Sequence, residues 1–272
     1  MSQQRAESAT ARYLAEIGVR ETPRATCPFD PGYDPATLEG HMQQSGHLIG
    51  TVKISMACWM VADESATRRK IRAVTELGIP AVAGGGPFET AVAQGALPAY
   101  LDLCADVGLT RIECGEGFTD LNLAPAEIVE EAAGRGLEVE FELGEKHSGR
   151  FTDDETAELI ATGTRWLESG AVRLVVEARE SAEDVGLFSK PGEFDSRQAD
   201  RLVDAFGLQR LLFEAPNKAS QFALIDHFGP EVQLGNVRLE EVLRVEIYRR
   251  GLHSDAFRRP NLRPRPPARR PA

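Results

Sequence analysis

Short apolar runs alternate with helix-length amphipathic segments along the whole chain. The runs are rich in Val, Ile, Leu and Phe, and the best of them, LVVEA and LLFEA, show little alternation of polar and apolar positions. That composition is typical of strands covered on both faces, as in parallel sheets. We therefore predict eight parallel strands, at residues 25–30, 47–54, 79–84, 110–114, 137–143, 172–178, 210–215 and 232–236.

The segments between these strands carry helix-end signals. Thr152 and Asp195 stand at plausible N-caps, and Gly108 and Gly207 fall just past predicted helix ends. The strand–helix unit recurs at roughly 30-residue spacing, which favours a (β/α)8 TIM barrel of the α/β class over the alternative, a doubly wound open sheet. Helices are predicted at residues 35–44, 64–77, 88–107, 125–135, 153–169, 196–206, 220–228 and 239–250.

Composition sets the domain boundaries and the class of partner. The barrel is expected to span residues 23–257, after an N-terminal helical extension at 1–22. Residues 258–272 are too rich in proline for a helix or strand and are predicted to be a disordered basic tail. The net charge is -11, and the tail contributes six arginines and no acid, so the barrel itself is more acidic still. Such a body repels polyanions, and nucleic acid is not expected as a partner.

Nothing in the sequence suggests export or membrane insertion. Apolar stretches fall short of the ~20 residues that a membrane-spanning helix needs, and the first residues lack the pattern of a signal peptide. The four cysteines show no metal-binding spacing and are interpreted as reduced. We therefore expect a cytoplasmic protein that acts on a small anionic molecule, with homo-oligomerisation left open.

Four of the predicted strands end in a glutamate. A buried unpaired carboxylate costs several kcal/mol, so such a group is normally paired or bound to a metal. In a parallel barrel all the strand carboxyl ends open at one face, where the chemistry is done. Carboxylate oxygens suit hard cations, so we predict a site for Mg²⁺ or Mn²⁺ rather than zinc; the alternative is structural pairing with Lys or Arg. These acids are Glu113, Glu142, Glu177 and Glu214.

Three basic residues lie near the same predicted strand ends. Lys53 falls inside the second strand, so it should pair with a carboxylate at the barrel mouth or hold substrate. Lys146, beyond the fifth strand, is a candidate proton donor or anion clamp, unless it is simply a solvated loop residue. Arg179, beyond the sixth, can grip an anion with two parallel hydrogen bonds, or pair with Glu180.

Two turns are candidates for ligand contact through the backbone. Gly235 and Asn236 end the eighth strand before a helix, a position that commonly binds phosphate in barrels, and Lys218 after the seventh strand would assist. A plain tight turn is the alternative there. The triple glycine at 84–86 would let the backbone approach a ligand closely.

Several longer motifs resemble one known family. FELGEK, VVEARES, GLFSKPGEFD, FEAPNKASQ, LGNV and YRRGLHSDAF occur in order over residues 23–257 and together resemble the phosphosulfolactate synthase family, which includes plant heat-stress-associated relatives. The resemblance implies a (β/α)8 barrel. It also implies Mg²⁺-dependent addition of sulfite to phosphoenolpyruvate, giving (2R)-phospho-3-sulfolactate.

The resemblance also implies roles for individual residues. It places Asp30 and Lys53 on the family's aspartate of strand 1 and lysine of strand 2, and it makes Lys146 the general acid. Glu142 and Arg179 would join it in catalysis, while Lys218, Gly235 and Asn236 would help Asp30 and Lys53 to bind substrate. The strand-end acids of the family, which would hold the metal, correspond to Glu113, Glu142, Glu177 and Glu214.

The chain departs from the family pattern where anions are held. The family's KxGWGTS stands here at 53–59 without its two glycines and its threonine, and GLRGDT has become GLHSDA at 251–256. The metal and proton-transfer residues are thus kept and the anion-holding ones altered. Three hypotheses follow: a phosphosulfolactate synthase proper, a relative using the same chemistry on a different enolpyruvyl substrate or nucleophile in specialised metabolism, or a non-catalytic stress-related barrel.

Overall fold

Eight parallel strands form one closed barrel in the computed structural model, which describes residues 8–119, 121, 123–144, 149–179 and 181–265. Each strand pairs with its sequence neighbours, and the last pairs with the first. The predicted (β/α)8 barrel is therefore confirmed and the open sheet is excluded. The barrel strands are β1 (Thr26–Asp30), β2 (Val52–Ile54), β3 (Ala81–Ala83), β4 (Arg111–Cys114), β5 (Glu138–Leu143), β6 (Arg173–Val176), β7 (Leu211–Glu214) and β8 (Gln233–Arg238).

Helices surround the barrel in the order expected, with one predicted helix divided in two. The segment 88–107 breaks around Gly95, whose φ of 64° lies in the left-handed region, and Pro98 stands in the first turn of the helix that follows. The helices are α1 (Ala9–Glu16), α2 (Pro35–Ser45), α3 (Cys58–Val61), α4 (Glu64–Thr75), α5 (Gly85–Ala93), α6 (Leu97–Val107), α7 (Pro125–Ala133), α8 (Asp153–Glu168), α9 (Ser196–Phe206), α10 (Lys218–Phe228) and α11 (Val242–Arg249).

The main hydrophobic core lies between the sheet and the helices, and the barrel interior is largely polar. In β5, Val139, Phe141 and Leu143 belong to that core, while Glu140 and Glu142 occupy the alternate positions. A separate small apolar cluster is formed by Cys27, Val175 and Leu212. Polar and apolar positions alternate strictly in β5, because its two faces meet helices and a polar barrel interior, whereas β6 and β7, for which little alternation was predicted, are buried throughout.

The helix α3 (Cys58–Val61) was not predicted, and two further parts of the chain differ from the predicted strands. The second strand was expected from residue 47, but Gly46–Leu48 forms a 3-10 turn that continues α2, and β2 is short. A two-stranded antiparallel hairpin, Phe188–Lys190 with Glu193–Phe194, was not predicted. It lies between β6 and α9.

The folded region extends past the predicted boundary at residue 257. The 3-10 helix Ser254–Arg258 is followed by Leu262, which is only 8% exposed, and Arg259 forms an ion pair of 2.8 Å with Asp226. Residues 266–272 lie outside the described part, so disorder there stays a prediction. At the other end, α1 buries none of its residues. No helix within the described ranges is long and apolar enough to cross a membrane.

Candidate active site

A cavity of about 990 Å³ opens at the carboxyl-terminal mouth of the barrel. Its volume lies at the upper end of the ~300–1,000 Å³ usual for ligand sites. The loops that follow the strands and the first turns of α5 and α6 form its walls. Seven of the residues predicted from the sequence line it: Lys53, Glu113, Glu142, Glu177, Arg179, Glu214 and Asn236.

Lys53 is the centre of the charged part of the cavity. Its Nζ lies 2.9 Å from Oε2 of Glu113 and 3.0 Å from Oε1 of Glu214. Burial opposes its charge, but the carboxylates of Glu113, Glu214 and Glu142 outweigh that effect and raise the pKa of Lys53 well above its usual value. Lys53 is therefore a fixed cation, and the prediction that it pairs with carboxylates at the mouth is confirmed.

Backbone amides fix the carboxylates at the ends of β4, β6 and β7. The amide of Gly85 donates to Oε1 of Glu113 at 3.0 Å, and the amide of Ala178 donates to Oε2 of Glu214 at 3.1 Å. Glu177 accepts a bond of 2.5 Å from the amide of Arg179. The acids are thus held in position before any ligand arrives.

Glu177 and Glu214 form a close acidic pair. Burial, together with the charge and hydrogen bond of Glu177, raises the pKa of Glu214 to about 7, although Lys53 acts in the opposite direction. Two carboxylates in contact cannot both be ionised at low cost unless a proton or a cation lies between them. The pair can therefore hold either a shared proton or a cation.

Whether Mg²⁺ fits depends on how many protein ligands it needs. Among the described residues, no three His, Cys, Asp or Glu side chains are grouped closely enough to hold a metal ion by themselves. Mg²⁺, however, usually binds through one or two carboxylates together with waters and substrate phosphate oxygens. Glu177 and Glu214, with Glu142 in the same cavity, fit that pattern.

Two arginines line the cavity with the acids. Arg179 has a φ of 55°, in the left-handed region, and Arg238 lies at the end of β8. Arg238 was not foreseen, because the eighth strand was predicted to stop at Asn236. Its position could have been predicted from the sequence, because Arg238 follows Asn236 by two residues and a strand places residues with that spacing on one face.

Three predicted substrate ligands lie outside the cavity. Asp30 is fully buried, pairs with Lys70 at 2.5 Å, and accepts hydrogen bonds from the amides of Gly32 and Tyr33. Its charge is thus satisfied by the β1–α2 turn and by Lys70 of α4.

Lys218 is about half exposed and pairs with Asp255 at 2.8 Å. Gly235 faces the barrel interior, where a Cβ would lie 3.1 Å from the Leu212 side chain. Neither residue is part of the cavity lining. Lys146, the predicted general acid, lies outside the described residues.

A buried ion network supports the barrel from within. Arg173 donates to Oε2 of Glu140 at 2.6 Å and to Thr51 at 3.1 Å, and Arg111 reaches the same glutamate oxygen at 3.2 Å. Sequence reasoning missed this network. The signal was present in the polar–apolar alternation of the β5 segment EVEFEL, which places Glu140 on the same face as Glu142.

The closed barrel, with acids, a buried lysine and arginines at its carboxyl-end mouth, defines a (β/α)8-barrel enzyme. The family model described as (2R)-phospho-3-sulfolactate synthase (ComA) matches residues 20–255. The chain therefore belongs to the phosphosulfolactate synthase family.

Curated relatives agree with that assignment. The phosphosulfolactate synthase of Methanocaldococcus jannaschii is 31% identical over 236 residues, covering 85% of this chain and 93% of that protein. The Bacillus subtilis phosphosulfolactate synthase is 27% identical and covers 84% and 90%, respectively.

Solved structures support the fold alone. A 3-dehydroquinate dehydratase from Geobacillus kaustophilus superposes with a TM-score of 0.53 at 11% identity, covering 85% of this chain and 96% of that one. A putative fructose-1,6-biphosphate aldolase from Coccidioides immitis gives a TM-score of 0.52 at 14% identity, with 94% and 99% covered.

Proposed function

We propose that this protein is a Mg²⁺-dependent phosphosulfolactate synthase-like lyase that adds sulfite, or a related nucleophile, to phosphoenolpyruvate. The observation behind the proposal is the arrangement of one cavity in a member of this family. Four strand-end glutamates, Lys53, Arg179 and Arg238 line that cavity together, and Lys53 pairs with two of the glutamates. Mn²⁺ is an alternative to Mg²⁺ on the same ligand chemistry.

The proposed reaction forms one bond and moves one proton. The sulfur lone pair of sulfite attacks C3 of phosphoenolpyruvate, and the electron pair of the C2–C3 double bond moves onto C2 and the adjoining carboxylate. A proton is then delivered to C2, giving phosphosulfolactate. Charge therefore builds up on the substrate carboxylate, and the site must stabilise it there.

Each part of the cavity is proposed to serve one of these needs. Bound Mg²⁺, held by Glu177 and Glu214 with Glu142, would supply positive charge next to the substrate carboxylate. Arg179 would hold the incoming anion or that carboxylate with two parallel hydrogen bonds. Lys146 would protonate C2. Glu142, the acid of β5 that precedes it in the sequence, lines the cavity.

The residues proposed to bind phosphate differ in part from those expected from the sequence. Asn236 and Arg238 line the cavity, whereas Lys218 and Gly235 do not. Lys53 is held between Glu113 and Glu214, so it would act mainly as a fixed charge that keeps both acids ionised and in position. A direct bond from Lys53 to the substrate would require one of these ion pairs to open.

A second candidate function keeps the chemistry and changes the reactants. In this version the enzyme uses another enolpyruvyl substrate or another nucleophile, as in specialised metabolism. The observation that favours it is the size of the cavity, together with the apolar side chains Met60, Leu103 and Phe118 in its lining. Phosphoenolpyruvate and sulfite are small anions that make no use of such a surface.

The test is a direct assay with phosphoenolpyruvate, sulfite and Mg²⁺, followed by phosphorus NMR. We expect a phosphate-ester product that takes up one deuterium at C2 in D₂O, and loss of turnover after exhaustive EDTA treatment with recovery on adding Mg²⁺ or Mn²⁺. Full activity without a divalent ion would exclude the metal role. No product with any sulfur nucleophile would favour the non-catalytic hypothesis.

A further inference from the structure

The cavity is divided by polarity. Arg179, Asn236 and Arg238, which follow β6 or belong to β8, supply its polar cationic side. The loops after β2, β3 and β4, with α5 and α6, supply a mainly apolar side, in which Ser55, Thr90 and Gln94 are the uncharged polar exceptions. The strand order places β3 across the barrel from β7. This apolar wall includes Met56, Met60, Pro87, Ala99, Tyr100, Leu103 and Phe118.

The apolar wall suits neither a phosphate nor sulfite. No described Lys, Arg or His belongs to it, so an anion resting there would lose hydration without gaining a counter-charge. Met56, Met60 and Phe118 are 53%, 45% and 57% exposed, so much apolar surface borders the opening. Exposed apolar surface of this kind commonly marks a ligand groove.

We propose that the sulfur nucleophile of this enzyme is organic: a sulfinate or thiolate whose apolar substituent lies along the apolar wall. The proposal rests on the proposed function for the attack of sulfur on an enol phosphate. The phosphate and carboxylate of the acceptor need the arginine side, so the second reactant is the one that faces the apolar wall.

The step balances without any added oxidant or reductant. The sulfur lone pair of R–SO₂⁻ or R–S⁻ forms the bond to C3, the double-bond pair moves onto C2, and one proton is taken up at C2. The products are a sulfone and a thioether, respectively, each still carrying the phosphate ester and the carboxylate.

Binding of unreactive analogues tests the wall independently of turnover. The probes are straight-chain alkanesulfonates from methane- to octanesulfonate, titrated calorimetrically into the Mg²⁺-loaded full chain with phosphoenolpyruvate omitted. We expect Kd to fall by about fourfold for each added methylene, the value of one buried CH₂, until the wall is covered. Affinity that is independent of chain length would overturn the proposal.

Two matched variants test whether the alkyl chain of the probes lies on the apolar wall. Ala99→Phe places a ring on the wall, whereas Ala93→Phe makes the same change at an exposed alanine outside the cavity lining. We expect Ala99→Phe to abolish the gain for the longer chains and Ala93→Phe to keep it. Equal behaviour of the two variants would place the alkyl chain elsewhere and contradict the proposal.

The reaction assay distinguishes failure of this proposal from failure of the proposed function. Phosphoenolpyruvate is incubated with butanesulfinate, butanethiol or sulfite. A sulfone or a thioether supports the corresponding organic source. Turnover of sulfite alone, with no chain-length effect in binding, keeps the proposed function and overturns this inference. Chain-length-dependent binding with no reaction of either organic nucleophile overturns the assignment of the substituent to the nucleophile.

Discussion

Glu140 and Glu142 stand two residues apart on the same inward face of β5, but their surroundings differ. Glu142 reaches the cavity, whereas Glu140 lies among Arg173 and Arg111. Burial alone would raise the pKa of Glu140, but the two arginines outweigh it and hold the pKa below its ordinary value of 4.5. Position along a strand sets the face of a side chain, and its neighbours across the barrel set its chemistry.

Removing the charge of Glu140 should destabilise the barrel. Glu140→Gln leaves two buried arginines without their shared counter-ion, and we expect a loss of about 3–5 kcal/mol in the free energy of unfolding at pH 7, measured with urea. Because the folded-state pKa is lowered, this stabilisation is complete above the ordinary value of 4.5 and is lost as the pH falls through the lower folded-state pKa.

The difference between Glu140→Gln and the original protein should therefore shrink in acid. Glu138→Gln is the control, since Glu138 lies on the same strand and pairs with Arg111 but is largely exposed. It should cost at most about 1 kcal/mol. A difference for Glu140→Gln that stays constant down to pH 3 would contradict the assigned pKa direction.

The proton donor is the second prediction at the residue scale. If Lys146 protonates C2, Lys146→Ala should leave substrate binding nearly unchanged and reduce kcat by roughly 10²–10⁴-fold. Lys146→Arg should restore little, because a guanidinium does not give up its proton. Steady-state kinetics in D₂O measure both effects, and Glu145→Ala is the neighbouring control. Near-normal turnover of Lys146→Ala would assign the proton to another group.

At the scale of elements, the turn after β6 contains three residues in a strained backbone conformation. Arg179, Ala182 and Asp184 all have positive φ, a conformation that costs a side-chain-bearing residue of order 1 kcal/mol or more. The turn carries Arg179 into the cavity and its backbone amide to Glu177. Such strain at the site suggests that the turn is held by the hairpin that follows it.

A pair of variants separates the strain at Arg179 from the role of its charge. Arg179→Ala and Arg179→Gly both remove the guanidinium, so both should weaken substrate binding to the same degree. Arg179→Gly should be the more stable of the two by about 1 kcal/mol, because only glycine adopts this φ without cost. Urea unfolding and substrate titration measure the two effects. Equal stability would show that the backbone there is unstrained.

At the scale of the whole molecule, residues just past the predicted barrel end belong to the fold. Leu262 is buried, and its carbonyl group lies against Gly251. Arg259 holds Asp226 of α10. These contacts join the segment that follows α11 to the end of α11 and to α10.

Two truncations test where the folded molecule ends. Removing residues 259–272 should lower the free energy of unfolding by about 2–4 kcal/mol, since it takes away a buried leucine and an ion pair. Removing only 266–272 should change it by less than about 0.5 kcal/mol, as expected for the tail predicted from proline content. Equal stability of both truncated proteins would show that residues 259–265 contribute nothing to the fold.

The sequence by itself determined the barrel and most of the charged site. Apolar runs mark buried strands because burial depends on local composition, and a residue at the carboxyl end of a parallel strand must open at one face. Those two local rules were enough to place Glu113, Glu142, Glu177 and Glu214 in one cavity. They could not fix helix breaks such as the one at Gly95, or the hairpin beyond β6, since both depend on what the segment packs against.

Only the tertiary structure decided which charges meet. Lys53 pairs with Glu113 and Glu214, which are 60 and 161 residues away along the chain, because closure of the barrel brings their strands together. Tertiary packing also pairs Asp30 with Lys70 and Lys218 with Asp255, and it places Arg238 at the mouth of the barrel. Electrostatic partners are set by distances of a few ångströms in space, and a single sequence does not encode those distances in any local pattern.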